Sequence, residues 1–329
     1  MRQSALHPAA DSGAALIDQL GTVLYVGAAI IFVFVMTLAI VGVVAKGRDV
    51  AVKRWVIGGG LIFPSVTVTA LLLYSLAVGN GLSSIGTTNA LQLFLDCFGG
   101  RETPAATSAD RPLTIHVVGK QWWWEVRYEQ PGGNDRIVLA NEIRIPVDRP
   151  VELVLSTTDV IHSFWVPSLA GKVDMIPGRT TRLRVQTSEQ GQFRGICAEY
   201  CGGQHALMAI VVVTQSASDF ATWLARQAQP AAIPTDTTLR TGYDAFFSAN
   251  CQTCHAIRGT PANGTDGPDL THVGGRVTLA AGILDNHMGT MAGWIAGAQD
   301  IKPGNKMPSD PVLNGEQLRA LSAWLGSLE

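Results

Sequence analysis

The chain has 329 residues, too many for one ordinary domain and enough for two small domains and a membrane anchor. Apolar residues make up 47% of the chain and charged residues only 15%. Typical soluble proteins carry roughly 25% charged residues, so part of this sequence is expected to lie in a membrane. The formal net charge of -2 gives no indication of a nucleic-acid partner.

Two uncharged apolar stretches, residues 21–45 and 56–78, predict a pair of transmembrane helices, because each is long enough to cross a bilayer. Pro64 and the glycines at 58–60 are expected to loosen the second helix. The short loop between the helices carries an excess of basic residues, namely Lys46, Arg48, Lys53 and Arg54 against Asp49. The positive-inside rule therefore places this loop in the cytoplasm and both chain termini on the outer side.

The segment before the first helix, residues 1–20, lacks the pattern of a signal peptide and is predicted to be extracytoplasmic. The helix pair is assigned to residues 21–83. Residues 84–216 contain short alternating apolar runs separated by turn formers such as PGGND, which predicts an antiparallel β-sandwich or barrel. A helix at 217–228 and a flexible proline-containing linker complete residues 217–237. Residues 238–329 have helical periodicity at both ends and predict a small all-α domain.

Four of the five cysteines form two close pairs, each with a histidine nearby, which favours metal or haem chemistry over a disulfide framework. Cys97 is left over and is interpreted as a small apolar residue just past the membrane region. The loop CAEYCGGQHALM, with His162 upstream in DVIHSFW, brings together candidate ligands, namely His162, Cys197, Glu199, Cys201, His205 and Met208. Thiolates, imidazoles and a thioether suit copper, and two thiolates can bridge two copper ions. A zinc site and a plain disulfide are the alternatives.

This loop, together with QWWWE and KVDMIPGR, resembles cytochrome c oxidase subunit II over roughly residues 15–215. The resemblance implies a two-helix membrane hairpin followed by a cupredoxin-like antiparallel β-barrel. It implies a dinuclear copper centre held by the side chains of His162, Cys197, Cys201, His205 and Met208 and by the backbone carbonyl of Glu199. The Glu199 side chain would also reach a magnesium ion shared with subunit I, unless it is simply a solvated carboxylate.

The same resemblance implies that Trp122 accepts electrons, while ordinary barrel packing is the preferred interpretation for Trp123 and Trp124. Asp174 and Arg179 would face the haem of subunit I, with surface salt bridges as the alternative. Two departures from the family pattern stand out. Residues 54–64 hold no carboxylate at the start of the second membrane helix, which puts one proton route in doubt. The acidic docking face is reduced to Asp159, with Arg127 where relatives often carry glutamate.

The motif CQTCH predicts covalent haem c, with thioethers to Cys251 and Cys254 and with His255 as the proximal ligand. A thioredoxin-like pair is the alternative. Met307, in the polar loop KPGNKMPSD, is the predicted distal ligand, and core packing is predicted for Met288 and Met291. His272 is predicted to form loop hydrogen bonds. The segments GPDL and KPGNKMP resemble the fused cytochrome domain of caa-type oxidases over residues 238–329.

Together these resemblances imply the electron-accepting subunit of a haem–copper oxidase in the bacterial cell membrane, with both cofactor domains outside. Oxygen reduction, coupled to proton pumping, would belong to another subunit. The implied partners are subunit I, further oxidase subunits, membrane lipid, and a soluble cytochrome c or a quinol:cytochrome c reductase as donor. The corresponding subunit of a copper-containing nitric oxide reductase remains an alternative, and a membrane-anchored copper-delivery protein is another. A quinol oxidase subunit is excluded, since those relatives lack the copper ligands.

Overall fold

The computed structural model describes residues 1–44, 51–82, 112–129, 136–309 and 312–329. The chain divides into a unit of residues Gly13–Pro104 and a second unit that combines Met1–Ser12 with Ala105–Glu329. Cys97 and most of the predicted cytoplasmic loop lie outside the described residues.

The first unit contains two helical segments that are long and apolar enough to span a membrane. Helix α1 covers Gly13–Val44 and so begins earlier than the apolar pattern indicated. The second segment consists of α2 (Val52–Ile57), a π-helical turn (Gly58–Ile62) and α3 (Phe63–Leu82). Pro64 has no N–H, and its ring would clash with the carbonyl one turn earlier, so a wider turn relieves both problems. The predicted loosening is confirmed.

The second unit begins with two five-stranded sheets, ordered β3-β2-β1-β5-β8 and β4-β10-β9-β6-β7. The strands are β1 Leu113–Lys120, β2 Trp123–Glu129, β3 Arg136–Ala140, β4 Glu142–Pro146, β5 Val151–Thr157, β6 His162–Trp165, β7 Val173–Met175, β8 Thr181–Val185, β9 Gly191–Cys197 and β10 Ala209–Gln215. Most neighbouring strands are antiparallel, as predicted, whereas β1 with β5 and β4 with β10 pair in parallel.

Alternating side chains of the two sheets meet in one apolar core, with Trp124, Phe164 and Phe193 among its fully buried members. Helix α4 (Ala217–Gln227) closes one side of this core. Its N-terminus is capped by Ser216, which accepts from the backbone N–H of Asp219. Trp223 of α4 packs edge-on against Tyr128, with 5.5 Å between the ring centroids. The predicted helix at 217–228 is thereby confirmed.

The C-terminal helices are α5 (Thr237–Ser248), α6 (Met288–Ile301) and α7 (Gly315–Gly326). Helices α5 and α7 cross at Gly242, where a Cβ atom would collide with the Ala320 carbonyl. Beside this crossing, Phe246 meets Trp324 edge-on at a centroid distance of 5.5 Å. The small helical domain predicted from periodicity is confirmed.

The segment between the β domain and this helical domain is anchored. The Ala231 N–H donates to Arg258 O at 2.8 Å, and the Arg258 guanidinium donates to Gln227 O at 2.6 Å. The helical domain also bonds directly to the sheets, since Ala209 N–H donates to Ala281 O at 2.9 Å. These bonds join the two domains and hold Ala231 at the start of the linker, while the flexibility of the linker stays a prediction. Proline-rich composition shows that a segment is not helical, but the partners that hold it lie far away in sequence.

Candidate copper and haem sites

The predicted copper ligands converge where β6 begins, β9 ends, and the loop from residue 198 to 208 leads into β10. The Sγ atoms of Cys197 and Cys201 are 3.8 Å apart, and both residues are buried. A disulfide requires a distance of about 2.05 Å, so the pair is not bonded. His162 Nδ1 lies 3.8 Å from the Cys197 sulfur, and His205 Nδ1 lies 3.6 Å from the Cys201 sulfur.

A candidate weak metal ligand lies beside each thiol. Met208 Sδ lies 3.9 Å from the Cys201 sulfur, and the backbone oxygen of Glu199 lies 3.2 Å from the Cys197 sulfur. Two central thiols with one imidazole and one weak donor each suit copper, whereas a tetrahedral zinc site would leave the methionine unused. The Glu199 side chain is exposed and accepts from Tyr200 N–H at 3.2 Å.

The two thiols differ in acidity. The hydrogen bond with Cys201 lowers the pKa of Cys197 to about 3, and the same contact raises the pKa of Cys201. The hydrogen bonds thus favour the thiolate form of Cys197, which is the form that binds metal ions.

Asp159 orients the first histidine. His162 Nε2 lies 2.8 Å from Asp159 Oδ1, and this leaves Nδ1 directed at the sulfur. Such carboxylate–histidine pairs fix the tautomer of a metal ligand. Burial lowers the pKa of His162, but hydrogen bonds with Cys197 and Asp159 outweigh it and leave the value raised. Asp159 also accepts from Gln121 N–H at 2.7 Å, so the predicted acidic docking residue is engaged inside the site.

The haem c motif lines a cavity of about 450 Å³. Cys251 and Cys254 follow α5 on a short 3-10 turn, and Met307 borders the same cavity. His255 Nδ1 lies 2.7 Å from Pro268 O, which leaves Nε2 to serve as a ligand. Burial lowers the pKa of His255, so the ring is neutral, as ligation requires.

Further features of the cavity fit a haem. A Cβ atom at Gly267 would collide with the His255 ring, so glycine permits the tight packing of the proximal histidine. Arg276 borders the cavity, and its buried Nε has no hydrogen-bond partner among the described residues. Haem carries two anionic propionates, and such an anion would satisfy this atom. The sequence offered no signal for Arg276 beyond its position after GPDL.

The β domain supplies another wall of this cavity through Gln121, Trp122 and Trp123. Trp122 Nε1 donates to Cys201 O at 2.9 Å. Trp123 lies beneath the Lys120 ammonium at 4.9 Å and is only partly buried, so the barrel-packing interpretation is wrong for this residue. It is confirmed for Trp124, which is fully buried.

Comparisons with known proteins identify a family for each of the two domains. Residues 130–215 match the family Cytochrome C oxidase subunit II, periplasmic domain, and residues 239–329 match the family Cytochrome c. Cytochrome c oxidase subunit 2 of Alkalihalophilus pseudofirmus is 36% identical over 226 residues, which make up 69% of this chain and 64% of the relative. The chain belongs to the cytochrome c oxidase subunit II family. Its two domains are those that hold copper and haem c.

Two further similar proteins carry the same family name. The Bacillus subtilis cytochrome c oxidase subunit 2 is 31% identical over 231 residues, covering 67% of this chain and 64% of its own length. The chain thus spans slightly less than two thirds of these curated relatives. The periplasmic domain of subunit II (CoxB) from Bradyrhizobium japonicum is 31% identical. That match covers 37% of this chain and 95% of the solved domain, with a TM-score of 0.33.

The structure also places the remaining predicted residues of this chain. Met291 is buried in the helical core, as predicted, but Met288 is 56% exposed at the start of α6, so core packing is wrong for it. His272 forms the predicted hydrogen bonds, to Gln229 O at 2.9 Å and Glu329 O at 2.8 Å. Asp174 and Arg179 are exposed.

One residue beside the copper ligands was missed. Lys302 is 3% exposed, and its Nζ donates to the backbone oxygens of Trp122 and Leu207 at 2.8 Å each. Burial lowers the pKa of Lys302 to about 8. In sequence, a lysine in a polar loop indicates only an exposed side chain.

Proposed function

We propose that this chain is the electron-accepting subunit of a terminal haem–copper oxidase. Cys251, Cys254, His255 and Met307 would hold haem c, and the cysteine loop with His162 would hold a dinuclear copper centre. These groups supply one-electron redox chemistry when they are bound. Electrons would enter at the helical domain, reach the copper loop through Trp122, and leave to subunit I, where oxygen is reduced and protons are pumped.

The observation that carries this proposal is the shared wall of the haem cavity. Trp122 borders the cavity that contains the haem motif, and its indole is hydrogen-bonded to the carbonyl of a copper-loop cysteine. The Trp122 side chain therefore connects the wall of the haem cavity to the copper loop. A copper-delivery protein would have no use for this arrangement, because delivery requires no electron path.

A surface beside the copper loop supports the proposed exit to subunit I. Three large side chains next to candidate ligands are exposed, namely Val160 at 37%, Ile161 at 43% and Tyr200 at 73%. The Tyr200 ring lies 5.8 Å from the His205 ring. Apolar exposure concentrated at a metal loop is typical of an interaction surface. The exposed Glu199 carboxylate lies between Ala198 and Tyr200, where a magnesium ion shared with subunit I would bind.

The anchored helical domain changes how donors are expected to act. Hydrogen bonds between the helical domain and the β domain hold the haem motif beside Trp122. A soluble cytochrome c or a membrane reductase would therefore reduce the helical domain first. Both domains are assigned to the outer face of the bacterial cell membrane, because haem c is attached outside the cytoplasm.

The test uses the full chain loaded with haem and copper. After rapid mixing with less than one equivalent of reduced soluble cytochrome c, the haem c band should be reduced first and the copper band should follow at a concentration-independent rate. Electron paramagnetic resonance of the oxidised chain should give the mixed-valence signal of a copper pair. Direct reduction of copper ahead of haem, or a single-copper signal, would contradict the proposal.

A further inference from the structure

Lys302 is buried in a way that requires an explanation. The residue follows α6, and among the described residues no carboxylate forms an ion pair with it. Removing an ammonium group from water is costly unless hydrogen bonds and charge compensate for the loss. Two backbone oxygens, those of Trp122 and Leu207, accept hydrogen bonds from its Nζ. Both groups that bind the Lys302 ammonium therefore belong to the copper domain, although the lysine itself belongs to the helical domain.

The two acceptors of Lys302 belong to different parts of the copper domain. Trp122 is the residue whose indole donates to Cys201 O, and Leu207 directly precedes the candidate ligand Met208. A second bond lies alongside, since the Gln204 amide donates to Pro303 O. Residues 302 and 303 are thus hydrogen-bonded to the copper loop and to the backbone of Trp122.

The same lysine begins the loop that carries the candidate axial methionine. Asn305 accepts from Met307 N–H at 2.7 Å and donates to Lys302 O at 2.6 Å. Gln299 of α6 donates to Met307 O at 2.6 Å. These bonds make residues 302–307 one braced turn, so the position of Met307 relative to Trp122 depends on where Lys302 is held.

We propose that Lys302 is a positioning residue that locks the methionine loop of the haem site onto Trp122 and the copper loop. The inference rests on the proposed electron transfer from haem to copper. Lys302 borders the haem cavity, but both of its hydrogen bonds go to the backbone oxygens of Trp122 and Leu207, through which it acts. Loss of its two bonds should let residues 302–307 move away from the tryptophan, and electron transfer slows steeply with separation.

The test compares Lys302→Met with Arg194→Met in the full chain carrying both cofactors. Methionine keeps the length of the side chain but donates no hydrogen bond. Arg194 is the matched control, because it also donates from the same interface to a backbone oxygen, that of Gly282, away from the methionine loop. Transfer from photoreduced haem to copper should slow on the order of tenfold or more in Lys302→Met, as small displacements of a reacting pair commonly cause. Arg194→Met should stay near the unmodified rate.

Two further measurements do not depend on turnover. Hydrogen exchange at the amides of residues 204–208 and 302–307 should accelerate in Lys302→Met and not in Arg194→Met. The reduction potential of the copper centre should fall in Lys302→Met alone, because a nearby positive charge stabilises the reduced form. If Lys302→Met loses copper, Lys302→Gln is measured in its place, and the same changes are expected at smaller size.

The outcomes separate the two proposals. An unmodified chain that shows no haem-to-copper transfer would overturn the proposed function whatever Lys302 does. An unmodified chain that transfers electrons, with rate, exchange and potential unaltered by Lys302→Met, would overturn the positioning role alone. Equal slowing in Lys302→Met and Arg194→Met would also overturn it, since general loosening of the interface would then explain the effect.

Discussion

Trp122 and Cys201 are joined by a 2.9 Å hydrogen bond from the indole Nε1 to the cysteine carbonyl oxygen. Trp122→Phe keeps an aromatic ring at the cavity wall but removes this bond. Copper content and the haem spectrum should remain as in the unmodified chain, while transfer between them slows on the order of tenfold, because the direct contact is lost. Transient absorption after photoreduction of the haem measures the rate. Unaltered kinetics would mean that Trp122 only packs.

The separation of the two sulfurs leads to a second prediction. Cys197→Ser or Cys201→Ser replaces one of two thiols that lie 3.8 Å apart. Copper should fall from two ions per chain to one or none, and the mixed-valence resonance should disappear, because a hydroxyl is a poor bridging ligand for copper. The haem spectrum should be unaltered, since CQTCH lies in the other domain. A single bound zinc in the unmodified chain would contradict the copper assignment.

A third prediction concerns Asp159, whose Oδ1 accepts from His162. Asp159→Ala should weaken copper binding by roughly 10–100-fold, as removal of such an orienting carboxylate commonly does. Competition with a chelator of known affinity measures the change. Asp174→Ala removes an exposed carboxylate from neighbouring β7 and should leave copper affinity as it was. Equal affinities in the two variants would assign Asp159 to the surface after all.

The axial ligand gives a fourth prediction. Met307→Ala should leave haem covalently attached through Cys251 and Cys254 but open one position on the iron. The reduced protein should then bind carbon monoxide, and its reduction potential should fall, because methionine ligation raises it. Met288→Ala is the control, since this methionine is 56% exposed. Carbon monoxide binding by the Met288 variant instead would show that the wrong loop was chosen.

The helix crossing at Gly242 gives a fifth prediction. Gly242→Ala places a methyl group against the Ala320 carbonyl and should lower the free energy of unfolding by about 1–3 kcal/mol. Gly293→Ala is the matched control, because a Cβ atom there meets nothing within 4 Å. It should raise stability by up to about 1 kcal/mol, since alanine favours helix more than glycine. Thermal unfolding followed by circular dichroism distinguishes the two.

Periodicity and motifs were sufficient to predict much of this architecture from the sequence. The run that became β8 alternates between polar and apolar residues, and CQTCH and CAEYCGGQHALM carry their chemistry in local spacing. The short strand β7 was not predicted, because its three residues are too few to show a period. The prediction that Met288 is buried was wrong, because the first residue of a helix resembles an interior helical residue in sequence.

Contacts between distant segments could not be predicted in the same way. Asp159 looks like a surface carboxylate until the fold brings Gln121 beside it, and Lys302 looks like a solvated lysine until α6 is placed against the copper loop. In both cases the partner is a backbone group far away in sequence. Composition describes side chains and gives no information about which carbonyl or amide will face them.

The contact of Lys302 with the copper loop also bears on how the two copper-loop cysteines can be reached. Cys197 and Cys201 are 4% and 2% exposed, and the helical domain bonds to the same loop through Lys302 and Gln204. Both sulfurs are thus closed to solvent in the folded chain, so a copper ion or a thiol reagent could reach them only if the residues that cover them move.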